Sequence, residues 1–283
     1  MKIKEVCGSR CCTEILDLKY LFLEVSSRVY YNTNLAPSAA DVSSVVSNNA
    51  AKYADSTELN KYGARFKYSK FLKVIDDSHE AVTSNITVVK MRRDLRIVPN
   101  TIAEYQIGFG NQFHIANTNG YNIKSTGFRV FGIPETVYIG DIPSSNRQTG
   151  SLFFFTVPNV GSQNPTILRS NVGTIDYVNG IITINAINVL AGIEKDDGQQ
   201  VIEIQATPLS NDVVGLQDLY LQLDTSNSTF EMVSDEIASG LDPSASNYIV
   251  SSSYAEGNLV RVGAPEGVAT TVANTTVSTT TST

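Results

Sequence analysis

The side chains with which chemistry could begin are few in this 283-residue sequence: two histidines, three cysteines and one acidic corner. His79 stands in Asp76-Asp77-Ser78-His79-Glu80, a composition that suits a metal site or an acid/base pair. Carboxylates at successive turn positions point in different directions, and one imidazole completes neither arrangement, so the corner reads as a solvated turn that caps its neighbours. His114, in GFGNQFHIANTNG, has no carboxylate or cysteine near it in sequence. Cys7, Cys11 and Cys12 match neither zinc nor CxxC spacing and read as free thiols of a chain made in a reducing cytoplasm. Gly108-Phe109-Gly110 lacks the third glycine and the following helix of a nucleotide loop, and no GxxxxGK[ST], GxSxG or HExxH is present. The residues therefore predict no catalytic group, no metal and no cofactor.

The densest cationic group is Lys90, Arg92, Arg93 and Arg96. On a strand, Lys90, Arg92 and Arg96 share one face, while Met91, Arg93, Leu95 and Ile97 take the other. Two readings stand side by side: a solvated sheet face that keeps an edge from aggregating, and a charged contact surface for an acidic neighbouring subunit. Nucleic acid is disfavoured by a net charge of −7, a pI near 4.9 and the lack of interleaved aromatics. The apolar run at 20–25 is too short to cross a bilayer and no signal peptide is evident, so no membrane partner is expected.

The elements that must carry these residues follow from periodicity. Charged residues are only 17% and Trp is absent, the profile of a strand-rich chain with many turns. Residues 19–32 alternate, with Leu21, Leu23, Val25, Val29 and Tyr31 on one face and Glu24, Ser26 and Arg28 on the other. Ser38 with Asp41 marks a helix start, followed by Val42, Val45, Val46, Ala50 and Tyr53 on one stripe. A second helix over 66–76 places Tyr68, Phe71, Leu72 and Ile75 together, and a long strand runs over 83–98 to Pro99. From residue 100 short apolar runs alternate with turn signals at Asn119-Gly120, Asn179-Gly180 and Asp197-Gly198, the clearest hairpin being GTIDYVNGIITINAI. The expected class is α+β: a poorly ordered segment 1–18, a strand-helix-helix-strand module 19–99, a β-rich sandwich- or barrel-like domain 100–262 inserted in or following that module, and a Thr-rich, disordered tail 263–283.

The run YADSTELNKYGARFKYSKFLKVIDDSHEAVTSNITVVKMRRDL, with the preceding YLFLEVSSRVYYN and the later GTIDYVNGIITI, resembles the C-terminal half of the large baseplate wedge subunit of T-even-type contractile-tailed bacteriophages, a member of the baseplate-J group. The resemblance implies a non-enzymatic subunit, made in the host bacterial cytoplasm and residing in the virion tail baseplate. Its implied partners are itself, through dimer contacts within a ring, and other wedge proteins, with no small-molecule substrate. A tail-associated adhesin for a host surface is the second reading. Members of that family carry a long N-terminal half, which this sequence lacks before the strand at 20; the resemblance then implies a split or shortened gene, or that half on another chain.

Overall fold

The computed structural model describes residues 19–157, 165–196, 198–216 and 219–236, with two more short strands near the C-terminus. The three cysteines, the 1–18 segment and the Thr-rich tail lie outside the described residues. In chain order the elements are β1 (Lys19–Tyr31), α1 (Ala39–Ala54), β2 (Arg65–Phe66), α2 (Tyr68–Asp76), β3 (Val82–Arg96), β4 (Ile102–Gly108), β5 (Lys124–Ser125), β6 (Arg129–Val130), β7 (Tyr138–Pro143) and β8 (Thr149–Thr156). They continue with β9 (Thr166–Asp176), β10 (Ile181–Ala191), β11 (Ile193–Glu194), β12 (Gln200–Ala206), β13 (Val213–Val214), β14 (Leu219–Leu223), β15 (Thr229–Ser234), β16 (Tyr254–Ala255) and β17 (Asn258–Leu259). Among the described residues the fold is strand-rich, with two short helices.

β1 buries the five side chains that its alternation puts on one face. Against that face pack both helices. α1 begins where Ser38 Oγ accepts the Asp41 amide and buries Val42, Val46, Ala50 and Tyr53; Val45 stays only half-buried at the stripe's margin. α2 has no capping side chain of its own; Asp212, from a loop far along the chain, accepts the Tyr68 amide at 2.9 Å. Its Phe71 meets the rings of Tyr53 and Phe66 at 5.6 and 5.4 Å between centroids, an aromatic knot that joins both helices and β2. The Tyr68 hydroxyl and the Asn85 amide then tie α2 to β3.

The largest sheet has seven strands, ordered β11-β12-β3-β1-β14, with β15 also beside β1 and β5 beside β12. β14 and β15 lie parallel to β1 on the same side, interrupted by residues 224–228. The sheet thus runs across the boundary expected at residue 99: strands from 193 onward pair with those from 19–96. Composition changes at residue 100, but strand partners are chosen by pairing energy over long separations, which a reading along the chain does not register. The β-rich stretch is an insertion within the sheet's sequence, forming a six-stranded antiparallel sheet of order β4-β10-β9-β8-β7 with β6 beside β10. Asn179-Gly180 makes the β9-β10 turn, Gly180 having φ of 64°. Asn119-Gly120 makes no hairpin of named strands. Gly120 sits instead where a Cβ would collide with the Asp141 carbonyl oxygen.

Asp141, fully buried on β7, is the polar anchor of this second sheet. It accepts the Ile123 amide at 2.8 Å, the Asn122 side chain at 2.9 Å and the Tyr177 hydroxyl at 2.6 Å. Burial, then the Asp141 hydrogen bond and charge, raise the Tyr177 phenol above its ordinary value of 10.0. Its contribution to stability is therefore intact below that pH and drains away as pH rises above it. Tyr177→Phe should cost about 1–3 kcal/mol at neutral pH, because Asp141 loses a buried partner. It should also flatten the loss of stability between about pH 9 and 11, measured by urea unfolding across that range.

Candidate functional site

Residues of β3 alternate between two environments, and the basic cluster is divided by that alternation. Arg92 falls in a cross-strand row with Phe22 of β1 and Gln205 of β12. Its guanidinium lies 4.5 Å from the Phe22 ring centroid and is only 6% exposed. Four carboxylates surround it. Nη1 is 2.7 Å from Glu203 and 3.3 Å from Asp94, and Nη2 is 2.6 Å from Asp224. Nε is 2.7 Å from Glu24, an ion pair by distance although its N–H is not aligned for a hydrogen bond. Lys195 adds a second cation, 3.3 Å from Asp94 and paired with Glu203, and the Gln205 amide donates to Glu24.

The break between β14 and β15 exists where this cluster needs a carboxylate. The Asp224 amide donates to the Leu23 carbonyl at 2.8 Å, and Ser228 Oγ accepts the Val25 amide at 3.1 Å, so the 224–228 turn stays bonded to β1 while Asp224 reaches Arg92. Burial works against ionisation of Asp224. Hydrogen bonds from Asn227 and the Arg92 charge outweigh it and hold the carboxyl below its ordinary 3.8. For Lys195 burial again opposes the charge, and the Glu203 and Asp94 carboxylates raise it nonetheless.

The remaining members of the cluster are distributed around this centre. Lys90 is half-buried, opposite Glu24 across β1. Arg93 projects to the other face, where its Nη1 donates to the Gly108 carbonyl and links the two large sheets. Arg96 is exposed at the end of β3. Arg92 is thus withdrawn from the surface on which the sequence spacing puts it, because β1, β12 and the β14-β15 turn bring Glu24, Glu203 and Asp224 to it. Its acidic partners Glu24, Asp94, Glu203 and Asp224 carry no common motif, and Glu24 reads in sequence as one more member of the polar face of β1. On the same face of β3, Ile86 and Val88 are 60% and 48% exposed, a short apolar stripe beside Lys90.

The acidic corner serves as a turn. His79 Nδ1 accepts the Ala81 amide at 3.0 Å, and Asp76 accepts the Asn85 side chain at 2.6 Å, holding α2 to β3. Among the described residues no group of three or more His, Cys, Asp or Glu side chains could hold a metal ion. His114 is exposed, its backbone amide bonded to the Thr207 carbonyl. No helix among the described residues is long and apolar enough to cross a membrane.

Arg92→Met should destabilise the fold by about 3–5 kcal/mol at pH 7, because four carboxylates are left facing one another. That loss should shrink as pH falls and Asp224 protonates. Since the folded-state value of Asp224 lies below 3.8, its contribution is present above that pH and lost as pH drops through the folded value. Asp224→Asn should accordingly give a shallower acid limb in a plot of unfolding free energy against pH.

Residues 19–94, spanning β1, both helices and most of β3, match a family model described as "Baseplate structural protein gp6, C-terminal domain III". No curated protein matches the chain. The matched stretch covers less than half of the sequence, and includes Arg92, Glu24 and Asp94 but not Lys195, Glu203 or Asp224. Over its helices and the two central strands of its large sheet, this chain is similar to C-terminal domain III of a baseplate structural protein, as expected of a phage baseplate protein.

Proposed function

We propose that this chain is a structural subunit of a contractile phage tail baseplate, and that it helps form the inner wedge ring through contacts with copies of itself and with other wedge proteins. The observation that carries this reading is the match over 19–94 to a baseplate structural domain, falling on the sheet and helices that organise the fold. The physical features support such a role. A sheet with helices on one face and a buried ion cluster near the other is a stiff block, and stiffness is what a load-bearing ring needs.

The contact surface we assign is the face of β3 that the helices leave uncovered. There Ile86 and Val88 offer apolar area with Lys90 beside them, and Arg96 lies at the far end of the same face of β3. Arg92 and Arg93 act on this surface indirectly, one by fixing strand register and the other by joining the sheets. Apolar area supplies affinity in such a contact, while flanking charge sets orientation and on-rate. Lys90 and Arg96 are the members of the cluster left toward this surface, and for them an acidic neighbour is the complementary partner.

Co-expression with the other wedge proteins of the same tail, followed by sedimentation velocity, tests the proposal. The wild-type chain should co-sediment in complexes. The variant Ile86→Asp/Val88→Asp should weaken association at least about tenfold with little change in unfolding midpoint, since exposed positions contribute little to stability. Lys90→Glu/Arg96→Glu should act mainly through association rate and salt dependence. A chain that remains monomeric at high concentration and binds none of those proteins would refute the assignment.

A further inference from the structure

The sequence joins asparagine to glycine at Asn119-Gly120 and at Asn179-Gly180. Such a step carries a chemistry of its own, because a glycine nitrogen has no side chain beside it to keep it from the neighbouring carboxamide carbon. The fold demands glycine at both places. A Cβ at Gly120 would strike the Asp141 carbonyl oxygen, and one at Gly180 would strike the Asn111 carbonyl oxygen. Close packing thus leaves both nitrogens unshielded, and the difference between the two steps lies in the asparagine.

Asn179 is held. Its Nδ2 donates to one Asp176 carboxylate oxygen at 2.7 Å, and its main-chain amide donates to the other at 2.9 Å. Attack on that carboxamide must first break a hydrogen bond to a charged group. Asn119 is exposed, and among the described residues its carboxamide makes no hydrogen bond; its main-chain amide donates to Asn117 Oδ1 at 2.8 Å. The Gly120 N–H donates to the Asn117 carbonyl at 3.2 Å, the long end of the usual range.

The residues after this step are tightly restrained. The Tyr121 amide donates to the Asp141 carbonyl at 3.0 Å, and the Asn122 side chain bonds both Asn117 and Asp141. Tyr121 is kept at φ of 63°, a left-handed conformation that strains a bulky residue. Its ring stands edge-on to Phe153 and Phe155, at 5.2 and 5.3 Å between centroids.

We propose that Asn119-Gly120 is a site of self-modification in the folded chain, and that its isoaspartate product releases Tyr121 from Phe153 and Phe155. The Gly120 nitrogen loses its proton to water and bonds to Asn119 Cγ. The Cγ–Nδ2 bond breaks, and Nδ2 takes up a proton and leaves as ammonia. Water then opens the cyclic imide. Opening at Cγ gives aspartate; opening at the main-chain carbonyl gives isoaspartate, in which the chain runs through the side chain and gains a methylene. That added length removes the restraint that keeps Tyr121 left-handed.

Storage of the full-length protein at mildly alkaline pH, below its unfolding temperature, followed by peptide mapping with mass spectrometry, tests this. Asn119 should convert at least about tenfold faster than Asn179, the cost of breaking the Asp176 bond. Asn119→Gln should suppress conversion at 119 without moving the unfolding midpoint, since the position is exposed. Asp176→Ala should speed conversion at Asn179. The isoaspartate form, separated by ion exchange, should show faster amide exchange at Tyr121 and wild-type exchange in β3. Equal rates at the two steps overturn the proposal, because the reaction then runs through the unfolded chain. An unreactive Asn119 overturns it, as does an isoaspartate form whose Tyr121 amide exchanges at the wild-type rate.

Discussion

A guanidinium buried on a β-strand is the constraint around which this fold is arranged. Arg92 cannot be left without partners in that position, and the carboxylates that satisfy it come from β1, β3, β12 and the turn between β14 and β15. Exchanging such a cluster for apolar side chains is often neutral or favourable in free energy, so its value lies elsewhere. A one-residue slip of β1 or β12 against β3 would carry Glu24 or Glu203 to the opposite face. The cluster therefore penalises wrong registers far more than it rewards the right one. Between β14 and β15 the 224–228 turn stays bonded to β1 while Asp224 reaches Arg92.

From that register the rest follows by packing. The face of β1 opposite Glu24 is a row of aliphatic side chains, and the two helices cover it through Val42, Val46, Phe71 and Ile75. The inserted sheet has its own polar anchor in Asp141, whose three hydrogen bonds fix the loop before β5 and the end of β9. Arg93 bridges the two sheets at Gly108, one residue from Arg92 along the same strand. Adjacent arginines thus serve opposite faces, one holding a sheet together and the other holding two sheets to each other.

Much of the local structure was legible in the sequence. The alternation of β1, the Ser38 cap, the α2 stripe and the Asn179-Gly180 turn rest on interactions within a few residues, and periodicity reports those directly. The arrangement was not legible at residue 99, because β12, β14 and β15 find their places by pairing with strands more than a hundred residues earlier. Nor was the burial of Arg92. Spacing locates it correctly on the face shared with Lys90 and Arg96, yet burial depends on Asp224 and Glu203, whose approach is a tertiary event.

A baseplate subunit must be found where a tail meets its target surface, and localisation in assembled particles bears on that claim most directly. Electron microscopy of purified tails containing this chain, tagged and labelled with gold, should place label at the end of the tail distal to the capsid, in a ring around the tube. Label on the capsid, the neck or the fibres alone, or particles that assemble without the chain, would contradict the assignment.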